Sequence, residues 1–242
     1  MLEKIRIILL HTSHSGNVGS VSRAMKVMGL HRLYLVDPQC DHLDGKAKAL
    51  ACHGLDVLEQ AVVCSTFDRA LEGAELVFGT SARRRTFGHE LLPARQAAAR
   101  MVEESGEREI ALVFGSEKSG MTNEELDRCH VHVHIPTSDE YSSLNLSQAV
   151  QVMVYELYMA SLAGNQEVKT KTRQQKTALA SADELDGLYK HIESIMKQTG
   201  FYKADHPRMM ETRLRQLFNR AQLDKQDLNL LRGILASVDY KL

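Results

Sequence analysis

The sequence predicts an α/β fold in which a mainly parallel sheet is flanked by helices, with a small helical module at the end of the chain. Short β-rich runs alternate with helical segments through the first 165 of the 242 residues. Several of these runs are apolar at consecutive positions, as expected for strands that are covered on both faces. Residues 183–242 instead show only helical periodicity.

Six short apolar runs are predicted to form strands. They are residues 5–10, 32–37, 61–66, 75–81, 109–116 and 131–136. The helical segments that lie between and after them are residues 17–28, 67–72, 89–104, 123–129 and a long helix from Asn145 onward. That last helix is apolar at positions 146, 149, 150, 153, 154 and 157, which is the spacing of one helical face.

The first predicted helix, "NVGSVSRAMKVM", has Asn17 as its expected N-cap and Gly29 just beyond its end. Its apolar stripe consists of Val18, Val21, Met25 and Met28. Arg23 lies off that stripe, a position that by itself is typical of a solvent-exposed helix residue.

The stretch "EYSSLNL" places Ser142, Ser143 and Asn145 directly before the long helix. Each is a good N-cap residue, but a helix has only one N-cap position. Two interpretations stay open on this evidence alone: polar loop residues, or hydrogen-bonding groups that line a binding site.

Residues 164–182 are polar and lysine-rich without apolar periodicity, so they are predicted to be a linker between a domain at 1–163 and a helical module at 183–242. Three amphipathic helices are expected in the module. They are opened by Asp183, by His206-Pro207 and by Asp224.

The composition, 43% apolar and 25% charged, is that of an ordinary soluble globular protein. No stretch approaches the roughly 18 apolar residues of a membrane span, and the N-terminus has too short an apolar core for a secretory signal, so we expect a cytoplasmic protein without a membrane partner. Four scattered cysteines without a CxxC pair suggest neither a zinc site nor a disulfide framework, and are expected to be reduced core thiols.

The charge distribution is uneven, although the net charge is only −1. Residues 166–242 carry 14 Lys and Arg against 10 Asp and Glu. A basic end on an acidic body is weak evidence for a polyanionic partner.

Ligands of parallel sheets bind beyond the carboxyl ends of the strands. The corresponding loops, "HTSHSGN", "GTSARRR", "FGSEKSG" and "PTSDEYSSLN", are rich in Gly, Ser, Thr and Asn. "GSEKSG" lacks the Gly-Lys-Ser/Thr ending of a phosphate loop, and "GNVG" is not a dinucleotide fingerprint. His130, His132 and His134 share one strand face and could bind a metal, but a partly exposed strand face is the commoner reason for such alternation, and no metal is expected.

Three blocks, "TSHSGNVGSVSRAMKVMGL", "LVFGSEKSGMTNEEL" and "IPTSDEYSSLNLSQAVQVMVYEL", together span most of residues 10–160. In this order they resemble the SPOUT-superfamily RNA 2′-O-ribose methyltransferases. The match is best to the TrmJ branch, which modifies cytidine or uridine at position 32 of the tRNA anticodon loop. The resemblance implies a C-terminal trefoil knot, a homodimer and S-adenosylmethionine as cofactor.

The same resemblance assigns roles to individual residues. The cofactor-binding positions that it implies are Thr80, Ser81, Ala82, Gly115, Ser116, Glu117, Ile135, Ser142, Ser143 and Leu144. Arg23 matches the arginine assigned to the 2′-hydroxyl, and we interpret it as a clamp on the adjacent phosphate, because a guanidinium stays protonated. Asn17, Ser143 and Asn145 complete the implied catalytic set, and Glu117 is expected to hold Arg23.

The implied RNA contacts are arginines. Beside the cofactor loop they are Arg83, Arg84 and Arg85, and in the helical module they are Arg208, Arg213, Arg215 and Arg220. A dimerisation role for the module stays open. Besides a tRNA methyltransferase, a ribosomal RNA methyltransferase of the same superfamily and a non-catalytic RNA-binding protein remain alternatives, the latter disfavoured by the intact Arg23, Ser143 and Asn145.

Overall fold

The computed structural model describes residues 2–81, 90–167, 179–201 and 207–239, with the side chains of all of these except 164–167 and 207–209. Its strands are β1 (Ile5–Leu10), β2 (Arg32–Val36), β3 (Val62–Cys64), β4 (Leu76–Thr80), β5 (Glu90–Pro93), β6 (Ile110–Phe114) and β7 (Val131–His134). They form one sheet in the order β3-β2-β1-β6-β4-β7-β5. Every neighbouring pair in that order is parallel, which confirms the predicted parallel sheet.

The helices are α1 (Ser15–Val27), α2 (Gly45–Ala51), α3 (Leu55–Glu59), α4 (Phe67–Leu71), α5 (Ala94–Glu104), α6 (Asn123–Leu126), α7 (Leu146–Glu167), α8 (Ala182–Gln198), α9 (Pro207–Ala221) and α10 (Lys225–Asp239). Single 3-10 turns lie at Leu2–Lys4 and Cys52–Gly54. Within the described ranges, none of these helices is long and apolar enough to cross a membrane.

The predicted helix 89–104 is wrong over its first turn, where strand β5 pairs with β7. Pro93 gives a physical reason. A proline disfavours the helical conformation of the residue before it, so Leu92 stays extended and the helix begins only at Ala94. The short helices α2 and α3 between the second and third strands were not predicted.

Two predicted helix starts are also wrong. Helix α1 begins at Ser15, so Asn17 lies within its first turn and its side chain does not cap the helix. Helix α8 begins at Ala182 after Ser181, whose backbone N–H donates to Glu184 Oε2 at 2.8 Å. The carboxylate of Asp183, the predicted start, instead accepts from the backbone N–H of Gly73.

The two faces of the sheet are covered by different helices. Helices α1, α5 and α7 pack on one face, where Ile7 and Leu112 are fully buried. Helices α4 and α6 pack on the other face, which presents Ile8 and Val113. Because the strands are parallel, the loops that leave their carboxyl ends meet at a single edge of this sandwich.

The C-terminal helices have an apolar cluster of their own, which includes Leu188 and Leu228. They also contact the sheet domain directly. The backbone N–H of Ala182 donates to the carbonyl of Ala74 at 2.7 Å, and the Asn219 side chain donates to the carbonyl of Cys129 at 3.2 Å. The described part of the module is therefore docked on the face of the sheet that carries α4 and α6.

The four cysteines are free thiols. Cys64 and Cys129 are buried and Cys40 is half-buried, but Cys52 is exposed. The expectation of core thiols is therefore wrong for Cys52, which lies in the 3-10 turn after α2 at a positive φ of 48°.

Candidate functional site

A polar cavity of about 360 Å³ lies at the carboxyl edge of the sheet. It is formed by the loops that follow β4, β6 and β7 and by the first turn of α7. Of the predicted cofactor positions, the cavity is lined by Thr80, Ser81, Gly115, Ser116, Glu117, Ile135, Ser142, Ser143 and Leu144. The remaining one, Ala82, lies outside the described residues.

Sequence reasoning missed the other lining residues. They are Phe114, Lys118, Ser119, Gly120, Met121, Val133, Leu146 and Ala149. Most of them are chain neighbours of predicted positions, so the loop boundaries were drawn too narrowly. Leu146 and Ala149 belong to α7, and only the packing of that helix against the cavity reveals them.

The loop after β6 closes on itself. The backbone N–H of Ser116 donates to the carbonyl of Gly120 at 3.1 Å, and the reverse bond measures 2.9 Å. Gly120 has a positive φ of 66°, which favours glycine. A Cβ atom on Gly115 would lie 2.0 Å from the carbonyl carbon of Gly120, so only glycine fits at the base of this closed loop.

Glu117 is the centre of a hydrogen-bond network that ties this loop to the segment after β1. Its carboxylate accepts from Thr12 Oγ1 at 2.8 Å, from Asn17 Nδ2 at 2.9 Å and from the backbone N–H of Ser13 at 3.1 Å. Burial by itself would raise the pKa of Glu117, but the donated hydrogen bonds outweigh it and lower the pKa to about 2. Glu117 is therefore a fixed carboxylate at neutral pH.

Asn17 links this network to the start of α7. Its Oδ1 accepts from Asn145 Nδ2 at 3.2 Å. Asn145 Oδ1 in turn accepts from the backbone N–H of Ser147 at 2.9 Å, as expected for the residue that caps a helix. The structure thus brings Asn17, Glu117 and Asn145 into one chain of hydrogen bonds beside the cavity.

Asn145 takes the capping position, which leaves Ser142 and Ser143 as the surplus polar residues. Both are exposed and line the cavity. Among the described residues neither hydroxyl has a hydrogen-bond partner. Their side chains are therefore available to a ligand.

Arg23 is not held by Glu117, and that expectation was wrong. Among the described residues its side-chain hydrogen bond goes from Nη1 to Cys52 Sγ at 3.6 Å, and the side chain is exposed. Arg23 lies six residues after Asn17, which is about 9 Å along an α-helix and on a different face of it. Within one chain Arg23 does not line the cavity.

The predicted RNA contacts lie in different settings. Arg83, Arg84 and Arg85 lie outside the described residues, as does the side chain of Arg208 in α9. Arg213 and Arg220 are exposed on α9.

Arg215 is half-buried. It donates to Asp186 Oδ1 at 2.9 Å, and its guanidinium carbon lies 4.4 Å from the centre of the Tyr189 ring. Arg215 is thus engaged within the helical module.

His130, just before β7, and His132, within β7, use their rings for internal contacts. His130 Nδ1 accepts from the backbone N–H of Val77 at 3.0 Å, and His132 Nε2 lies 3.1 Å from the carbonyl oxygen of Leu126. In the part of the chain that the structure describes, no group of three His, Cys, Asp or Glu residues could hold a metal ion.

Comparison with known proteins adds to this geometry. Residues 4–155 match the family model "SpoU rRNA Methylase family", and residues 183–242 match the model "tRNA methyltransferase TrmJ, C-terminal domain". The chain is 48% identical over 241 residues to the tRNA (cytidine/uridine-2'-O-)-methyltransferase TrmJ of Escherichia coli strain K12, covering 100% of this chain and 97% of that protein.

Two solved structures are similar over nearly the full length. TrmJ from Z. mobilis ZM4 is 26% identical with a TM-score of 0.84, covering 97% of this chain and 98% of that one. A probable methylase family protein from Haemophilus influenzae Rd KW20 is 41% identical with a TM-score of 0.67, covering 100% and 98%.

Proposed function

The chain belongs to the SpoU rRNA methylase family, and we propose that it is an enzyme that methylates the ribose 2′-hydroxyl of cytidine or uridine in tRNA. Similarity to TrmJ enzymes extends over the whole chain and includes the C-terminal module as well as the sheet domain. This similarity supports tRNA as the substrate. The observation that carries the chemistry is the cavity at the carboxyl edge of the sheet, where three loops and the start of α7 converge.

We infer that this cavity binds S-adenosylmethionine. Its volume of about 360 Å³ is in the range of small-molecule sites. The lining fits such a ligand, since it is made of small and polar residues and includes the exposed hydroxyls of Ser142 and Ser143. When bound, S-adenosylmethionine supplies an electrophilic methyl group on a sulfonium, so the chain itself has only to align the acceptor and handle its proton.

Glu117 fits a positioning role better than that of a general base. A base works best when its pKa lies near the operating pH, and a carboxyl with a pKa of about 2 is far below it. Its oxygens are also occupied by Thr12, Ser13 and Asn17. Glu117 therefore fixes the Asn17 amide, which with Asn145 and Ser143 would orient the ribose, while the hydroxyl proton leaves to phosphate or water.

We further propose that the enzyme works as a homodimer. Helix α7 exposes an apolar stripe at Val152, Tyr155, Met159 and Leu162, each 36–47% exposed, with the i, i+3, i+7, i+10 spacing of one helical face. A second copy of the chain would cover this stripe. Because Arg23 does not line the cavity of its own chain, we propose that in the dimer it reaches the cavity of the other subunit and clamps a phosphate of the bound tRNA.

The finer features of the proposal rest on the resemblance to the TrmJ branch. They are a methyltransferase domain at 1–163 with a trefoil knot in its C-terminal part, a linker at 164–182, an RNA-binding module at 183–242, position 32 as the target, and a cytoplasmic location. Exposed Arg213 and Arg220 support RNA contact by the module.

A labelled-methyl assay tests the function. Purified protein should transfer label from S-adenosylmethionine to tRNA, and a tRNA with a 2′-deoxy nucleotide at position 32 should accept none, because the acceptor oxygen is missing. An otherwise identical tRNA with a 2′-deoxy nucleotide elsewhere in the anticodon loop is the control and should be labelled normally. Persistent labelling of the first substrate would contradict methylation at that ribose.

A further inference from the structure

Helices α1 and α2 approach each other unusually closely because glycines form the contact. A Cβ atom on Gly19 would lie 2.1 Å from the carbonyl oxygen of Ala47, so the two backbones touch without side chains between them. Gly54, after α2, would similarly place a Cβ 2.7 Å from the carbonyl oxygen of Ser22. Helix α2 therefore packs directly against α1, the helix that carries Asn17 and Arg23.

This packing places one lysine of α2 beside the site. The Lys46 side chain crosses the surface over Gly16, where its Cε lies 2.9 Å from the position that a Cβ on Gly16 would take. Gly16 is the neighbour of Asn17 in the chain. Adding the bond lengths puts the Lys46 ammonium within about 10 Å of the Asn17 Cα.

The Lys46 ammonium is available to an external anion. Lys46 is exposed, and among the described residues its Nζ makes no ion pair or hydrogen bond. The pKa of Asp44 is lowered mainly by the hydrogen bonds from Ser15 Oγ at 2.7 Å and from the backbone N–H of Ala47 at 2.7 Å, and less by the charge of Lys46. Lys26, at the other end of α1, differs because its Nζ forms an ion pair with Asp56 Oδ2 at 2.5 Å.

We propose that Lys46 binds a backbone phosphate of the tRNA next to the nucleotide that is methylated. This inference rests on the proposed function, since it assigns part of the substrate contact of that site. A lysine suits the task, being a mobile point charge that contacts a phosphate without reading sequence. Lys46 would then help to fix the position of the tRNA backbone relative to Asn17.

The test compares Lys46→Ala and Lys46→Glu with Lys48→Ala, an exposed lysine on the same helix. Dissociation constants for tRNA are measured by filter binding over a range of salt concentrations. We expect Lys46→Ala to weaken binding about five- to tenfold and to reduce the salt slope by about 0.7, as for one lost phosphate contact to a single strand, with a larger loss for Lys46→Glu. Lys48→Ala should change neither quantity.

Calorimetry with S-adenosylmethionine separates this effect from a structural one. Unchanged cofactor affinity in both Lys46 variants supports the proposal. The proposal is overturned if Lys46→Ala matches Lys48→Ala in salt slope, or if it loses cofactor affinity as much as tRNA affinity. Either result would refute only the role of Lys46, because wild-type protein would still label tRNA. Wild-type protein that neither binds nor labels tRNA would refute the proposed function as well.

Discussion

Two partly buried carboxylates, Glu117 beside the cavity and Asp186 in the helical module, have lowered pKa values for different reasons. Burial opposes ionisation in both. At Glu117 the neutral donors Asn17, Ser13 and Thr12 overcome it. At Asp186 the compensation comes from cations, with Arg215 at 2.9 Å, Lys190 at 3.0 Å and Arg128 at 3.9 Å.

The difference shows how the chain distributes its positive charge. The hydrogen bonds that hold Glu117 come from Thr12, Ser13 and Asn17, not from a lysine or an arginine. The Asp186 cluster instead uses cations to join elements, because Arg128 belongs to the sheet domain and Arg215 to α9. Glu117 therefore orients residues of the candidate site, whereas Asp186 connects the helical module to the sheet domain.

Gly115→Ala should have the largest effect. It changes the loop that carries Glu117 and lines the cavity, and leaves the helical module with Asp186 unchanged. The added methyl group would lie 2.0 Å from backbone atoms, so the closed loop from Ser116 to Gly120 must open. We expect S-adenosylmethionine affinity to fall by about 100-fold or more, as measured by calorimetry. Gly45→Ala is the matched control, since nothing lies within 4 Å of its added methyl group, and an equal loss there would contradict the prediction.

Glu117→Gln tests whether the neutral donors can hold this side chain in place only when it is a charged carboxylate. Glutamine offers one acceptor oxygen and places an amide donor where Thr12 or Asn17 already donates. We expect kcat to fall about 100-fold through misplacement of Asn17, with a smaller change in cofactor affinity. Glu124→Gln, at an exposed carboxylate of α6, should retain activity. Full activity of Glu117→Gln would show that the network does not position the acceptor.

Asp186→Asn should act on stability, not on the cavity. It removes the charged partner of half-buried Arg215, which we expect to cost about 2 kcal/mol in urea unfolding, with unchanged cofactor affinity. Asp68→Asn is the control. Its carboxylate is 60% exposed and pairs with Arg128 at 2.6 Å, so the loss should stay below about 1 kcal/mol. Equal losses in the two variants would remove the distinction between Asp186 and a surface ion pair.

The sheet and its helices could be predicted from the sequence more completely than the hydrogen-bond network around Glu117. Consecutive apolar runs are enough to predict a parallel sheet, and the only described strand that was missed, β5, is a four-residue segment whose pairing with β7 is non-local. The loops at the carboxyl edge predicted the cavity for the same geometric reason. The partners of Glu117 could not be predicted, because Thr12 and Asn17 lie about 100 residues away in the chain.

The surroundings of Arg215 could not be predicted from the sequence either. In the sequence it resembles Arg213, but the helical period turns one toward Asp186 and the other toward solvent. Only the packing of α8 against α9 distinguishes a structural arginine from one that is free for RNA.

The last prediction is a pH dependence that separates Glu117 from its glutamine variant. Well above pH 4.5, the ordinary pKa of this carboxyl, it is ionised in both folded and unfolded chains, so its full contribution to stability is present. As the pH falls from 4.5 towards 2, the unfolded chain takes up a proton that the native carboxylate refuses, and the contribution is progressively lost. The stability gap between wild type and Glu117→Gln, measured by urea unfolding, should therefore narrow by about 1 kcal/mol for each pH unit in this window. A gap that stays constant down to pH 3 would mean that the neutral donors do not favour the ionised form, and that Glu117 is held by packing alone.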